Sequence, residues 1–196
     1  MSLREQLRSA TREKHAELDA QVSAIRPFES VEGYRTYLRG MRELYVAFGD
    51  ALDAASQAAG IGPRRNRLVA ALEQDLAACG GDSTEDKISE AFKNCHDSGS
   101  GGEGASWGAA YVLEGSTMGA QMLVRSAEQK LPAGNTVHFL TALAADGVPR
   151  FKQFCAALDT ANVDANEAIR GALAAFEHAL EWFRNQAGHE EASVGI

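Results

Sequence analysis

Proline is scarce in this sequence, with 4 among 196 residues. Ala, Leu, Glu, Gln and Arg are abundant instead, a mixture that suits long helices. Long apolar runs are missing as well. No stretch of about 18 consecutive apolar residues occurs, so no membrane-spanning helix is expected. The opening Met1-Ser2-Leu3-Arg4-Glu5 carries charges where a secretory signal needs an apolar core. Cysteine is limited to Cys79, Cys95 and Cys155, odd in number, far apart and without a CxxC pair. That pattern gives neither a disulfide framework nor a zinc site, and the cytoplasm is the expected compartment. Basic charge is in deficit: the net charge is -8 at pH 7 and the pI is near 5.1. Nucleic acid, which needs a basic surface to displace counterions, is not expected as a partner. A small basic edge meeting one anionic ligand remains compatible with that balance.

What is present is the make-up of an ordinary globular protein, 45% apolar and 23% charged, at a length that fits one domain with one core. The segment Ser2 to Ala24 has neither Gly nor Pro, and Leu3, Leu7, Ala10, Leu18 and Val22 recur at helical spacing. Arg26-Pro27-Phe28-Glu29-Ser30 interrupts it, and Ser30 with Gly33 marks a restart. A long helix is expected from Val31 to Ala59, closed by Gly60-Ile61-Gly62-Pro63, and a shorter one from Arg64 to Ala78. Ser83 or Thr84 is placed to cap a short helix through Ala91 and Phe92. Asp97 to Gly104 is glycine-rich but lacks the strand and Lys-Ser/Thr ending of a phosphate loop, so it reads as a connection. Helices are then expected over Ala105–Lys130, Val137–Ala145, Pro149–Asp159 and Ala165 to Ala187, with a frayed tail from Gly188. No segment alternates with period two over strand length. The expected fold is all-α, a single domain over residues 1–196 of roughly eight helices without internal repeats.

Three constellations carry chemistry. On the first helix Arg8, Thr11, His15, Asp19 and Val22 flank the apolar stripe, so His15 is placed between core and any ligand wedged beside it. A neutral imidazole there is a metal ligand whose tautomer Asp19, one turn on, would fix. Arg8, two turns back, lies on the order of 10 Å away along the axis, where it would meet a carboxylate at the edge of a large flat ligand. A plain surface histidine on an amphipathic helix is the other reading. On the Ala105–Lys130 helix, Gly108, Val112, Gly115, Gly119, Met122 and Ser126 share a face. A helix-interior glycine costs about 1 kcal/mol relative to alanine, so something should require the missing side chains. Either another helix packs on the bare backbone, or a planar ligand lies flat on it, and the helix is free to bend there. On the last helix Ile169, Leu173, Phe176, Leu180 and Phe183 form an apolar face that suits core, pocket wall or both. His96, His138, His178 and His189 have no metal-binding spacing. Glu43, Asp50 and Asp53 lack the Glu-x-x-His repeat of a di-iron bundle, and no GxSxG or dinucleotide fingerprint occurs.

Leu7-Arg8-Ser9-Ala10-Thr11-Arg12-Glu13-Lys14-His15 resembles the proximal helix of heme oxygenases, whose histidine coordinates the heme iron. Tyr111-Val112-Leu113-Glu114-Gly115-Ser116-Thr117-Met118-Gly119-Ala120-Gln121 resembles their distal helix. Weaker similarity continues through Arg150-Phe151-Lys152-Gln153-Phe154 and the pair Phe176 and Phe183, so the resemblance spans nearly the whole chain. It implies His15 as the axial iron ligand with Asp19 near it, and Arg8, Lys152 and Tyr111 at the heme propionate edge. Gly115 and Gly119 would form the distal wall beside Ser116. Thr11, Phe176 and Phe183 would line the pocket. Ser116 stands where mammalian-type members have an aspartate; many bacterial members that feed phytochromes share the Gly-Ser pattern. Ala156 stands where a second basic residue is expected.

The implied activity is oxidative opening of heme to biliverdin, CO and ferrous iron. Heme would be both substrate and prosthetic group, with O2 and an external electron donor such as ferredoxin or a flavoprotein reductase. A biliverdin-accepting phytochrome is a candidate partner, and no membrane or nucleic acid is implied. Two rival readings keep the helices: a heme-binding or storage protein without turnover, and a helical interaction protein without heme.

Overall fold

The computed structural model describes residues 1–80 and 102–193. The expected short helix through Phe92 and most of the glycine-rich connection lie outside the described residues, as do Cys95 and His96. Eight helices are described: α1 Leu3–Ala24, α2 Val31–Ala58, α3 Arg65–Ala78, α4 Glu103–Gly115, α5 Ala120–Lys130, α6 His138–Ala145, α7 Gly147–Thr160 and α8 Ala165–Ser193, with a 3-10 turn at Ser116–Met118 between α4 and α5. No strand occurs among the described residues.

The chain starts helices where its caps dictate. Ser2 Oγ accepts from the Glu5 amide at 3.3 Å while Glu5 returns the bond to the Ser2 amide at 2.9 Å, a closed capping box. Ser30 Oγ accepts from the Gly33 amide at 3.0 Å and begins α2. Gly33 is demanded by the turn before it, since a Cβ would sit 2.7 Å from the carbonyl oxygens of both Ile25 and Arg26. At the other end, α8 is described to Ser193.

The largest departure from expectation is in the middle. The Ala105–Lys130 segment is not one helix but two, starting at Glu103 and broken between Gly115 and Ala120. Two hydroxyls account for the break. Ser116 Oγ donates to the Leu113 carbonyl at 2.7 Å, and Thr117 Oγ1 donates to the Glu114 carbonyl, also at 2.7 Å. Such back-bonding competes with the ladder of backbone amides and bends helices, most readily where glycines flank it.

α4 and α8 form the central pair. α1 packs along α8, α2 covers α4, and α3 sits between α2 and α6. The core is continuous, with Tyr34, Tyr45, Phe139 and Phe154 fully buried beside the leucines of α2, α3, α6 and α7. One buried carboxylate organises its edge. Asp75 on α3 is fully buried. It accepts from the Phe139 amide at 2.8 Å, the His138 amide at 3.0 Å, Thr136 Oγ1 at 2.7 Å and Tyr34 Oη at 3.1 Å. It therefore caps the first turn of α6 from outside and holds α3, α2 and α6 together. Burial, reinforced by Asp75, raises the Tyr34 pKa well above its ordinary range. Asp75→Asn replaces an all-acceptor group with one that cannot receive all four donors, and is expected to lower stability by about 2 kcal/mol in urea denaturation. An unchanged midpoint would mean the network is dispensable.

Candidate functional site

His15 projects from α1 into the open, with its side chain 64% exposed. Its Nδ1 lies 2.9 Å from Asp19 Oδ2, four residues along the same helix face. A carboxylate on Nδ1 selects the tautomer that leaves the Nε2 lone pair for a ligand. The ring stands 5.8 Å from that of Phe176, tilted by 58°. Phe176 and Phe183 on α8 are 5% and 3% exposed. They belong to the packed interior, with Phe176 forming the floor beside His15. Phe183 packs on Gly40, where a Cβ would come within 2.5 Å of its ring. Thr11 does not offer a polar contact to a ligand: it is 4% exposed and its hydroxyl donates to the Leu7 carbonyl at 2.8 Å. His178, 8% exposed, meets Phe48 edge-on at 5.6 Å and burial lowers its pKa, as befits ordinary packing.

The glycine face of the broken helix divides into two parts with different physical causes. Gly108 is forced by protein packing. A Cβ there would lie 1.8 Å from the Ala168 carbonyl oxygen on α8, and the reciprocal Gly171 would clash with the Ala105 carbonyl oxygen at 2.1 Å. Gly115 and Gly119 answer to no such demand. A Cβ at Gly115 would make only ordinary contact with Phe151 at 3.7 Å, and one at Gly119 would meet nothing within 4 Å. Both have negative φ, -62° and -92°, so backbone geometry does not require glycine either. What remains is a strip of bare backbone, flanked by exposed Met118 and Met122 at 51% and 75%. A side chain at Gly119 would project into open space, and one at Gly115 would lie against the Phe151 ring.

Beneath the break lies a buried polar cluster. Glu114, fully buried, takes Arg150 from α7 through Nε at 3.0 and 3.1 Å and Nη2 at 2.9 Å. Arg64 Nη2 lies 2.8 Å from its other side, though the Arg64 N–H groups make no well-directed hydrogen bond. Burial lowers the Arg64 pKa, opposed by Tyr45 and Glu114. Tyr45 on α2 is fully buried and its hydroxyl has no hydrogen-bond partner within the protein. Burial pushes its pKa up to about 12, opposed by Arg64 and by the neighbouring Ser116. Tyr45 therefore stays protonated at neutral pH. Ser116 lies near it, with its own proton committed to the Leu113 carbonyl.

At the other margin, Tyr111 on α4 stacks obliquely on Phe151 at 5.8 Å. Burial raises its pKa, while Arg8 and Arg4 are close enough to oppose that shift. Arg8 and Lys152 are both exposed. The fold thus brings Tyr111, Arg8 and Phe151 to one margin and His15, Asp19 and Phe176 to another part of the α1–α8 face. Ala156 is exposed on α7.

Glu114, Arg64 and Tyr45 are the residues that sequence reasoning passed over. The available signal for Glu114 was its place on the buried face of α4 with Ala110 and Leu113, where a charged residue demands a partner.

A helical fold with an accessible histidine on its first helix and an uncovered glycine break in the middle of the chain defines a recognisable class. The chain is similar in fold to heme oxygenase-1 from the cyanobacterium Synechocystis, solved in complex with heme, with a TM-score of 0.76, 22% identity, and coverage of 100% of this chain and 97% of that one. The heme oxygenase family model matches residues 1–185, and the chain belongs to the heme oxygenase family. No curated protein matches it by sequence. Among the described residues no helix is long and apolar enough to cross a membrane.

The division of the glycines is open to test by thermal unfolding. Gly108→Ala should cost about 2–3 kcal/mol through overpacking against the α8 backbone. Gly119→Ala should stay within about 1 kcal/mol of the parent or stabilise it. Equal destabilisation by the two would remove the distinction between packed and open glycines.

Proposed function

We propose that this chain binds one heme through His15 Nε2 and opens its ring to biliverdin, CO and ferrous iron, using O2 and electrons from a separate donor protein. The observation that carries the reading is the pair of unexplained glycines. Gly115 and Gly119 flank the break at positions where neither packing nor backbone conformation calls for glycine. A flat ligand resting on the backbone supplies the missing reason.

When bound, heme supplies both the iron at which O2 is activated and the ring that is opened. This chain's residues do the rest. Asp19 holds the His15 imidazole in one tautomer and orientation. Phe176 supports the ring edge beside His15, and Phe183 extends the same apolar wall. Arg8, Lys152 and Tyr111 meet the propionate carboxylates, with Arg8 already drawn near Tyr111. Gly115 and Gly119 let the backbone approach the opposite face and restrict the space above it. Ser116 is the polar side chain of the break itself, standing where an aspartate is lacking. Ferredoxin or a flavoprotein reductase is the class of donor implied, the cytoplasm the compartment, and a phytochrome a consumer of the product.

A visible spectrum tests the reading directly. Addition of one equivalent of heme should raise a Soret band, and ascorbate or a ferredoxin system in air should replace it with the broad red absorption of biliverdin. A Soret band that persists under several donors would mean a heme carrier, and no Soret band would exclude heme altogether.

His15→Ala should abolish most turnover, with partial recovery on added imidazole; normal degradation without imidazole would remove His15 from the role. Gly119→Leu should block or redirect ring opening while leaving the unfolding temperature close to that of the parent. Unchanged rate and product would leave Gly119 without a place in the site.

A further inference from the structure

The buried cluster under the break has a geometry that goes beyond holding helices together. Glu114 is the residue immediately before Gly115, and Arg150 the residue immediately before Phe151, whose ring is the group a Cβ on Gly115 would meet first, at 3.7 Å. On the far side of the Ser116 turn, the Thr117 hydroxyl proton, donated to the Glu114 carbonyl at 2.7 Å, is shared with the Gly147 carbonyl of α7 at 3.2 Å. A Cβ at Gly147 would press on Thr117 at 3.0 Å, so the backbones are in close approach there too. The break is therefore fastened to α7 at both ends, by an ion pair before it and a hydroxyl after it.

Arg150 is itself fixed from a third direction. Nη1 donates to the Gly62 carbonyl at 2.6 Å and Nη2 to Ser56 Oγ at 3.2 Å, which tie it to the end of α2 and the connection into α3. Arg64 arrives from that same connection. A carboxylate with no exposure held between two arginines is a costly arrangement, and apolar side chains of similar volume would serve stability equally well. What an apolar contact would lack is direction. A bidentate guanidinium fork fixes the angle as well as the distance between the elements it joins.

We infer that Glu114, through Arg150 and Arg64, is a positioning residue that sets the place and pitch of the Gly115–Gly119 backbone, and with it which edge of a bound planar substrate is attacked. This rests on the proposed oxygenase reading. Glu114 touches no substrate; it acts through the break. Where reacting groups must align, a displacement of about 1 Å changes rates roughly a hundredfold, far more than it changes affinity for a large flat ligand.

The test uses the full-length protein and three variants: Arg150→Lys, which keeps the charge and loses the fork; Glu114→Gln; and Asp75→Asn, which disturbs a comparable buried carboxylate away from the break. Two readouts are taken: amide hydrogen exchange across residues 113–120 without heme, and the rate and biliverdin isomer ratio with heme and donor. For Arg150→Lys, exchange should quicken at Ser116–Gly119, heme affinity should stay within about threefold, and the rate should fall about 10- to 100-fold with a mixed isomer ratio. Asp75→Asn should lower the unfolding temperature while leaving the isomer ratio as in the parent. If Glu114→Gln fails to fold, Arg150→Lys alone decides. Unchanged exchange and isomer ratio in Arg150→Lys would overturn the inference, as would an equal isomer shift in Asp75→Asn. Were the parent to bind no heme, the oxygenase reading would fail instead, while the exchange result would still decide whether the clamp orders the break.

Discussion

The whole arrangement depends on how closely α4 and α8 approach. At Gly108 and Gly171 the two backbones meet with no room for a Cβ on either side. That contact is a hard stop. It fixes the axis of α4 relative to the long helix that also supports α1, and so fixes the direction in which α4 runs when it reaches Gly115. Close-packed helices are bistable rather than continuously deformable. The break is thus presented from a rigid platform, and its own bend is set by local hydrogen bonds at Ser116 and Thr117.

From that platform the two halves of the site follow by different means. α1 is laid along α8, which puts His15 over Phe176. The orientation of His15 then needs only a residue one turn away, Asp19. The glycine break has no such side-chain pair, and its local hydrogen bonds run from Ser116 and Thr117 to backbone carbonyls. Polar groups collect beneath the break: Glu114 takes Arg150 and lies beside Arg64, with Tyr45 buried close by.

Helix locations were legible in the sequence because capping residues and glycine stops act locally: Ser2, Ser30 and the turn at Gly33 all behave as their chemistry dictates. His15 and Asp19 were legible for the same reason, being one helical turn apart. The split of α4 from α5 was not, since the hydroxyls of Ser116 and Thr117 bond equally well to solvent or to carbonyls in a straight helix. Which glycines are packed and which are open was hidden too. Gly108 and Gly119 look alike in sequence, and only the approach of Ala168 separates them. Glu114 was missed because its partners come from positions 64 and 150, and pairing over such separations leaves no periodic trace.

Leaving Gly115 and Gly119 uncovered has a cost in the unfolded balance. Met118 and Met122 beside them are left in water. Filling the strip with larger apolar side chains would strengthen the helix and cover the methionines, yet the space would then be gone. The chain keeps the opening and recovers order from charges placed on the other side of the same backbone. Stabilisation by packing and access for a ligand compete for one helix face. Glu114 and Arg64 are buried together with Arg150 bound to Glu114, while a side chain at Gly119 would meet only open space.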